Sequence, residues 1–263
     1  MPVDRAAAPA APGEHEGLTG VTFDSGGHRL VGTLYLARGA APKPTVLLLH
    51  GCPGLEKNLD LAAALRDRGR NALVFHYRGC WGSEGPYDLR TITGDVTAAV
   101  DHLQSGEYPT VDPGRLAVVG HSLGGWAAIL AAAADERLSA VAVYGAAVDL
   151  GGIDHTPERL DHEMTRFLAV TPGEFERQRA DVSGRPGPLE VVGSIAPRPL
   201  LIVHGSDDAW VPAEQARRLA AAAGRPCRYV AVDGANHSFA WHRAALRDLV
   251  TGWLDEVFAW EER

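Results

Sequence analysis

In this 263-residue chain a serine, a carboxylate and an imidazole stand where together they could carry covalent chemistry. The serine is Ser122, in the stretch VVGHSLGGWAA from Val118 to Ala128. Gly120 and Gly124 flank it, an apolar run precedes it, and an alanine-rich segment follows. Strand, then Gly-x-Ser-x-Gly, then helix is the order of a sharp turn that lifts a serine hydroxyl above a sheet edge. The helix would aim its positive end at that hydroxyl. The backbone N–H of Leu123 faces the same space and could bind a developing oxyanion. The alternative is a glycine-rich turn with an incidental serine, and the strand and helix on either side weigh against it.

A serine hydroxyl attacks only with the help of a base, and the base needs an orienting acid. Both should follow strands later in the chain. After PLLIVHG (199–205) come Asp207 and Asp208; after RYVAVDG (228–234) comes Ala-Asn-His-Ser-Phe, with His237. His121 lies inside the turn, where its side chain should point away from the hydroxyl. His50 and His204 end apolar runs and read as packed, hydrogen-bonded histidines, and His242 reads as part of the last helix. His50, His76 and His204 all close strand-like runs, but no ligand-like spacing or carboxylate cluster accompanies them, so no metal is expected. With no dinucleotide fingerprint or phosphate loop, no cofactor is expected either.

These residues need a scaffold, and the hydrophobic pattern describes one. VTFDSGGHRLVGTLYLA (21–37) gives two β-rich runs around Gly26-Gly27, a hairpin signal. Then short, solidly apolar runs alternate with helical patterns: TVLLLH (45–50), ALVFHY (72–77), RLAVVG (115–120), AVAVYG (140–145), PLLIVHG (199–205) and RYVAV (228–232). Continuous apolarity means burial on both faces, as in a parallel sheet covered by helices. The crossover helices are NLDLAAALRDRG (58–69), TITGDVTAAVDHLQSG (91–106) and PAEQARRLAAAAG (212–224), with a final one from Trp241 to Trp260. The stretch from about 149 to 197 breaks the alternation and reads as a small cap of two short helices, the second opened by a Thr171–Glu174 capping-box pattern. Residues 1–17 read as a flexible tail and 18–263 as one α/β domain carrying the cap.

At this point the chain resembles the α/β-hydrolases. HGCPG (50–54) resembles the family's oxyanion loop, YRGCWGSEG (77–85) its Arg-Gly-x-Gly-x-Ser-x-Gly segment, and GHSLGG its nucleophile turn. HGSDDAWVP (204–212) resembles its acid segment, a register that selects Asp208 over Asp207. The resemblance implies Ser122 as nucleophile, His237 as base, Asp208 as acid, and the backbone N–H groups of Leu123 and Cys52 as oxyanion donors. It also implies an α/β-hydrolase fold with an N-terminal antiparallel hairpin. The YRGCWGSEG and HGSDDAWVP segments are most similar to the branch of small esterases, feruloyl-type esterases and prolyl-oligopeptidase-like catalytic domains. Carboxylic ester hydrolysis is the first expectation and amide or short-peptide hydrolysis the second. A thioesterase, an acyltransferase, a cyclase and a non-catalytic ligand-binding protein are the further alternatives. Met164, Phe167 and Phe175 of the cap, with Trp81 and Trp210, are candidate pocket residues, or else packing between cap and core. Cys52 and Cys80 follow strands expected to be neighbours, so they form either a disulfide or two independent thiols.

Composition narrows the partners. The formal charge of −8 disfavours nucleic acid and anionic membranes, leaving a small molecule as the expected partner. Three scattered cysteines suggest a reducing compartment, and no signal-peptide pattern or apolar run of membrane-spanning length is present. The expected location is the cytoplasm.

Overall fold

The computed structural model describes residues 17–153 and 164–261, with side chains to residue 259. Eight strands form one sheet in the order β1-β2-β4-β3-β5-β6-β7-β8. β1 (Gly17–Ser25) and β2 (His28–Leu36) are the expected hairpin, closing on the pair Ser25 and His28. The two glycines between them both take positive φ, 59° and 82°, which a two-residue turn of this hand requires. β2 then runs antiparallel to β4 (Asn71–Phe75). β3 (Lys43–Leu49), β4, β5 (Val111–His121), β6 (Leu138–Tyr144), β7 (Leu200–Gly205) and β8 (Cys227–Val232) are parallel.

Alternate residues of each central strand feed opposite cores, so the apolar runs are continuous. Leu47, Val118, Val141 and Ile202 pack on one face with helices α2 (Ile92–Leu103), α3 (Leu123–Ala134) and α6 (Ala213–Ala222). Val46, Val119, Ala142 and Leu201 pack on the other with α1 (Leu59–Asp67) and α7 (Arg243–Glu261). The expected crossover helices and the final helix are all present with some ends shifted: α2 stops at Leu103 before Gly106, and α7 starts at Arg243, leaving His242 just outside it. The register pairs Leu49 with Gly120, His121 with Tyr144 and Gly205 with Val232, so the loops after β3, β5, β6, β7 and β8 meet at the carboxyl edge of the sheet.

The cap is anchored, not merely laid over that edge. α4 (Pro172–Ser183) opens as expected, with the Thr171 hydroxyl accepting from the Glu174 N–H at 3.2 Å. Only this half of the expected capping box forms, because the Glu174 carboxylate turns to Arg177 and Arg90. A short α5 (Pro188–Val191) follows. The first of the two expected cap helices falls largely on residues 154–163, outside the described residues, as does the expected tail over 1–16. Buried Gln178 accepts from the Leu89 N–H and donates to the Tyr87 carbonyl, both at 3.1 Å. Gln215 on α6 does the same for Asp149, at 2.9 and 3.2 Å. The Ala169 N–H donates to the Gly79 carbonyl at 2.9 Å, and the Tyr87 N–H to the Ala169 carbonyl at 3.1 Å.

Candidate active site

The turn between β5 and α3 is tight enough to be read from its contacts. Ser122 takes φ 53° and ψ −118°, an unfavourable backbone conformation for a residue with a side chain. The fold holds it there with four hydrogen bonds. Its N–H donates to the Tyr144 carbonyl at 3.1 Å, and its carbonyl accepts from Gly125, Trp126 and Ala147 at 2.9, 3.2 and 3.1 Å. A Cβ on Gly120 would meet the Gly124 oxygen at 2.2 Å, and one on Gly124 the Leu49 oxygen at 2.3 Å. Close approach of three chain segments, more than turn flexibility, demands these glycines. α3 begins at the next residue, Leu123, so its N-terminal amides and positive dipole end face the serine.

The structure pairs His237 with Asp208. The Nδ1–H of His237 donates to Asp208 Oδ2 at 2.7 Å, and the Asp208 side chain is fully buried. The other carboxylate oxygen, Oδ1, accepts from the N–H groups of Trp210 and Val211 at 2.9 and 2.8 Å. Asp207 is an exposed turn residue whose Oδ1 accepts from the Ser206 hydroxyl. An imidazole held this way by Nδ1 keeps Nε2 as its basic nitrogen.

His121, His50, His76 and His204 pack against neighbouring rings or loops. His121 stacks on Tyr144 at 4.6 Å between ring centres, and its Nε2 donates to the His237 carbonyl at 3.0 Å. It thus lies against the His237 loop, still bordering the cavity that holds Ser122. His50 Nδ1 donates to the Gly51 carbonyl at 2.7 Å, and its ring lies 5.5 Å from that of His76. Burial pulls the pKa of His50 down to about 4 and that of His76 to about 3, so both are neutral near pH 7. His204 sits instead beside the Asp208 loop. Among the described residues, no group of three His, Cys, Asp or Glu side chains is arranged to hold a metal.

Ser122, Leu123, Cys52 and His237 border a single cavity of about 480 Å³. Four of the five aromatic and methionine candidates line it: Met164, Phe167, Phe175 and Trp210. Trp81 does not. It stacks behind Phe167 at 5.6 Å and donates its indole N–H to the Pro53 carbonyl at 2.7 Å, with Lys57 over its ring. The cavity walls also include Leu89, Leu150, Ile153 and Val211. Arg179 reaches the wall with its charge matched by Glu176 at 2.7 Å. Cys52, Cys80 and Cys227 are all free thiols, and burial pushes the Cys52 thiol up to about 12.

Residues 61–260 match the sequence model of the prolyl oligopeptidase family. The chain belongs to this family. It is a serine hydrolase with the α/β-hydrolase fold. Among family relatives, the uncharacterized protein Rv2307c of Mycobacterium tuberculosis is 32% identical over 217 residues, which is 81% of this chain and 69% of that one. Of solved structures, the α/β hydrolase GrgF from Penicillium sp. superimposes with a TM-score of 0.72 at 22% identity, covering 90% of this chain and 96% of its own. Est1E from Butyrivibrio proteoclasticus, solved with ferulic acid bound, gives 0.74 at 21% identity, covering 91% and 99%.

For this family member, sequence motifs locate the strand-end residues but not the cavity wall. Leu89, Leu150, Ile153 and Arg179 carry no motif; an apolar residue on a cap helix looks the same whether it faces ligand or core. Trp81, expected at the pocket, buttresses Phe167 from behind instead. No helix among the described residues is long and apolar enough to cross a membrane.

Proposed function

We propose that the protein hydrolyses carboxylic esters of small, largely apolar acids through an acyl-enzyme on Ser122. His237 Nε2 takes the Ser122 proton as the hydroxyl oxygen attacks the ester carbonyl carbon. The N–H groups of Leu123 and Cys52 hold the oxyanion, and His237 returns the proton to the departing alkoxide. Water, deprotonated by the same imidazole, then cleaves the acyl-enzyme and releases the acid.

The observation that carries this reading is the 2.7 Å bond from His237 Nδ1 to a buried carboxylate, at a cavity that Ser122 also borders. Relatives that open epoxides or remove halide use an aspartate at the turn; a serine there suits acyl transfer. The apolar wall favours acyl groups that are aromatic or branched. Est1E, which holds ferulic acid, supports an aromatic acid as the first compound to try. The free thiols favour action in the reducing cytoplasm.

The test is fluorophosphonate labelling with the modified residue located by mass spectrometry. We expect label on Ser122, lost in Ser122→Ala together with ester turnover while the circular dichroism spectrum stays unchanged. An unlabelled Ser122 in folded protein would reject the reading in favour of a ligand-binding role. Hydrolysis of small amides is a second reading, favoured by membership of a family named for peptidases. Ester and anilide substrates of one acid, compared by kcat/KM, decide between the two.

A further inference from the structure

Buried His204 has no part in the proton transfers above, yet it lies against the carboxylate that orients the base. It is the penultimate residue of β7, with 1% of its side chain exposed. Its Nε2 lies 3.0 Å from the Val211 carbonyl oxygen and 3.5 Å from Asp208 Oδ2. Both neighbours only accept, so Nε2 must carry a proton and donate it. Nδ1 is then the unprotonated nitrogen, buried with no hydrogen-bond partner among the described residues. Burial lowers the pKa of the ring, which keeps it a neutral donor.

Val211 is held from both sides. Its carbonyl accepts from His204, while its N–H donates to Asp208 Oδ1 at 2.8 Å. The start of the loop from Ser206 to Pro212 is tied by backbone bonds, from the Ser206 N–H to the Val232 carbonyl and from the Asp207 N–H to the Ala235 carbonyl, both at 3.0 Å. The Ser206 hydroxyl adds bonds to Asp207 and Asp233 at that exposed start, whereas His204 holds the far end at Val211. Trp210 and Val211 also border the cavity.

We propose that His204 is a positioning residue: its Nε2–H, through the Val211 carbonyl, fixes the loop that aims the Asp208 carboxylate at His237. This rests on the Ser122–His237–Asp208 reading. A carboxylate that drifts from its 2.7 Å contact loses its hold on the His237 ring, and base strength toward Ser122 drops with it. A purely packed histidine would be replaceable by any side chain of similar bulk; a donor is replaceable only by another donor at the same place.

That distinction sets the experiment. His204→Leu keeps the bulk and removes the donor, His204→Gln restores an amide N–H near the Nε2 position, and His204→Asn puts one only near Nδ1. The readouts are the second-order rate of Ser122 modification by a fluorophosphonate and the KM and kcat for an ester, with folding checked by circular dichroism and thermal melting. We expect labelling and kcat to fall about twentyfold or more in His204→Leu, and to stay within about threefold of wild type in His204→Gln. KM should change little in either. Equal rates in wild type and a folded His204→Leu, or a Gln variant as slow as the Leu variant, would overturn the proposal. Should His204→Leu fail to fold, equal rates for the Gln and Asn variants overturn it instead. If wild-type Ser122 itself takes no label, the hydrolase assignment of the triad fails, an outcome distinct from all of these.

Discussion

A methyl group on Gly120 would stand 2.2 Å from the carbonyl oxygen of Gly124, across the turn that bears Ser122. No side-chain rotation relieves such a contact, because the Cβ position is fixed by the backbone and its partner is a backbone oxygen. Gly120→Ala must therefore push β5 away from α3, and we expect a loss of roughly 3 kcal/mol or no folded protein at all. Urea unfolding monitored by tryptophan fluorescence checks this. A variant within about 1 kcal/mol of wild type would mean that the turn is looser than these contacts require.

Asp208→Asn leaves the loop geometry nearly unchanged but reverses the hydrogen bonding to His237. The amide oxygen can still accept from Trp210 and Val211, as Oδ1 does now, which turns the NH₂ group toward His237 Nδ1. The ring answers by moving its proton to Nε2, where it can no longer accept one from Ser122. We expect kcat to fall by about 10³–10⁴ with little change in stability. A fall below tenfold would remove Asp208 from the reaction.

Phe175 and Phe167 both line the cavity but differ in burial, at 2% and 43% exposed. Phe175 stacks on Tyr87 at 6.1 Å, so Phe175→Ala should cost about 3 kcal/mol as well as widening the pocket. Phe167→Ala should cost under about 1 kcal/mol. It should still raise KM for aromatic acyl groups by about tenfold, with acetyl esters little affected. Thermal melts and KM across an acyl series separate the two effects.

Burial depresses the pKa of His50 to about 4 and of His76 to about 3, and lowers those of His121 and His204 as well. In the unfolded chain these rings bind protons near pH 6.5, while in the folded protein they resist them. Unfolding therefore takes up protons below pH 6.5, and stability is lost as pH falls from there toward 4. His50 alone should account for about 3 kcal/mol by pH 4. Urea midpoints at pH 7.5, 6 and 5 measure the decline. A flat profile would contradict the neutral burial of these rings, and His50→Gln should shallow the slope.

The strand ends that carry Ser122 and His237, and the sheet they belong to, were open to reading because each is written locally. An apolar run buried on both faces, then a glycine-rich turn or loop, marks where a strand ends, and the reactive side chains follow those ends. Asp208 could be told from Asp207 only through the resemblance of HGSDDAWVP. In the fold the choice is physical: one carboxylate turns inward onto two amides and an imidazole, the other outward to Ser206.

What tertiary structure alone decided lies in contacts between residues far apart in the chain. Gln178 and Gln215 pin the cap by satisfying backbone groups of Leu89, Tyr87 and Asp149, and no local pattern foretells those partners. That docking puts Phe175 and Leu150 on the cavity wall and leaves Trp81 behind Phe167. It also takes folding to set His204 against Val211. Periodicity and turn chemistry specify which way a chain segment runs and where it stops; which surfaces meet is set by packing summed over the whole molecule.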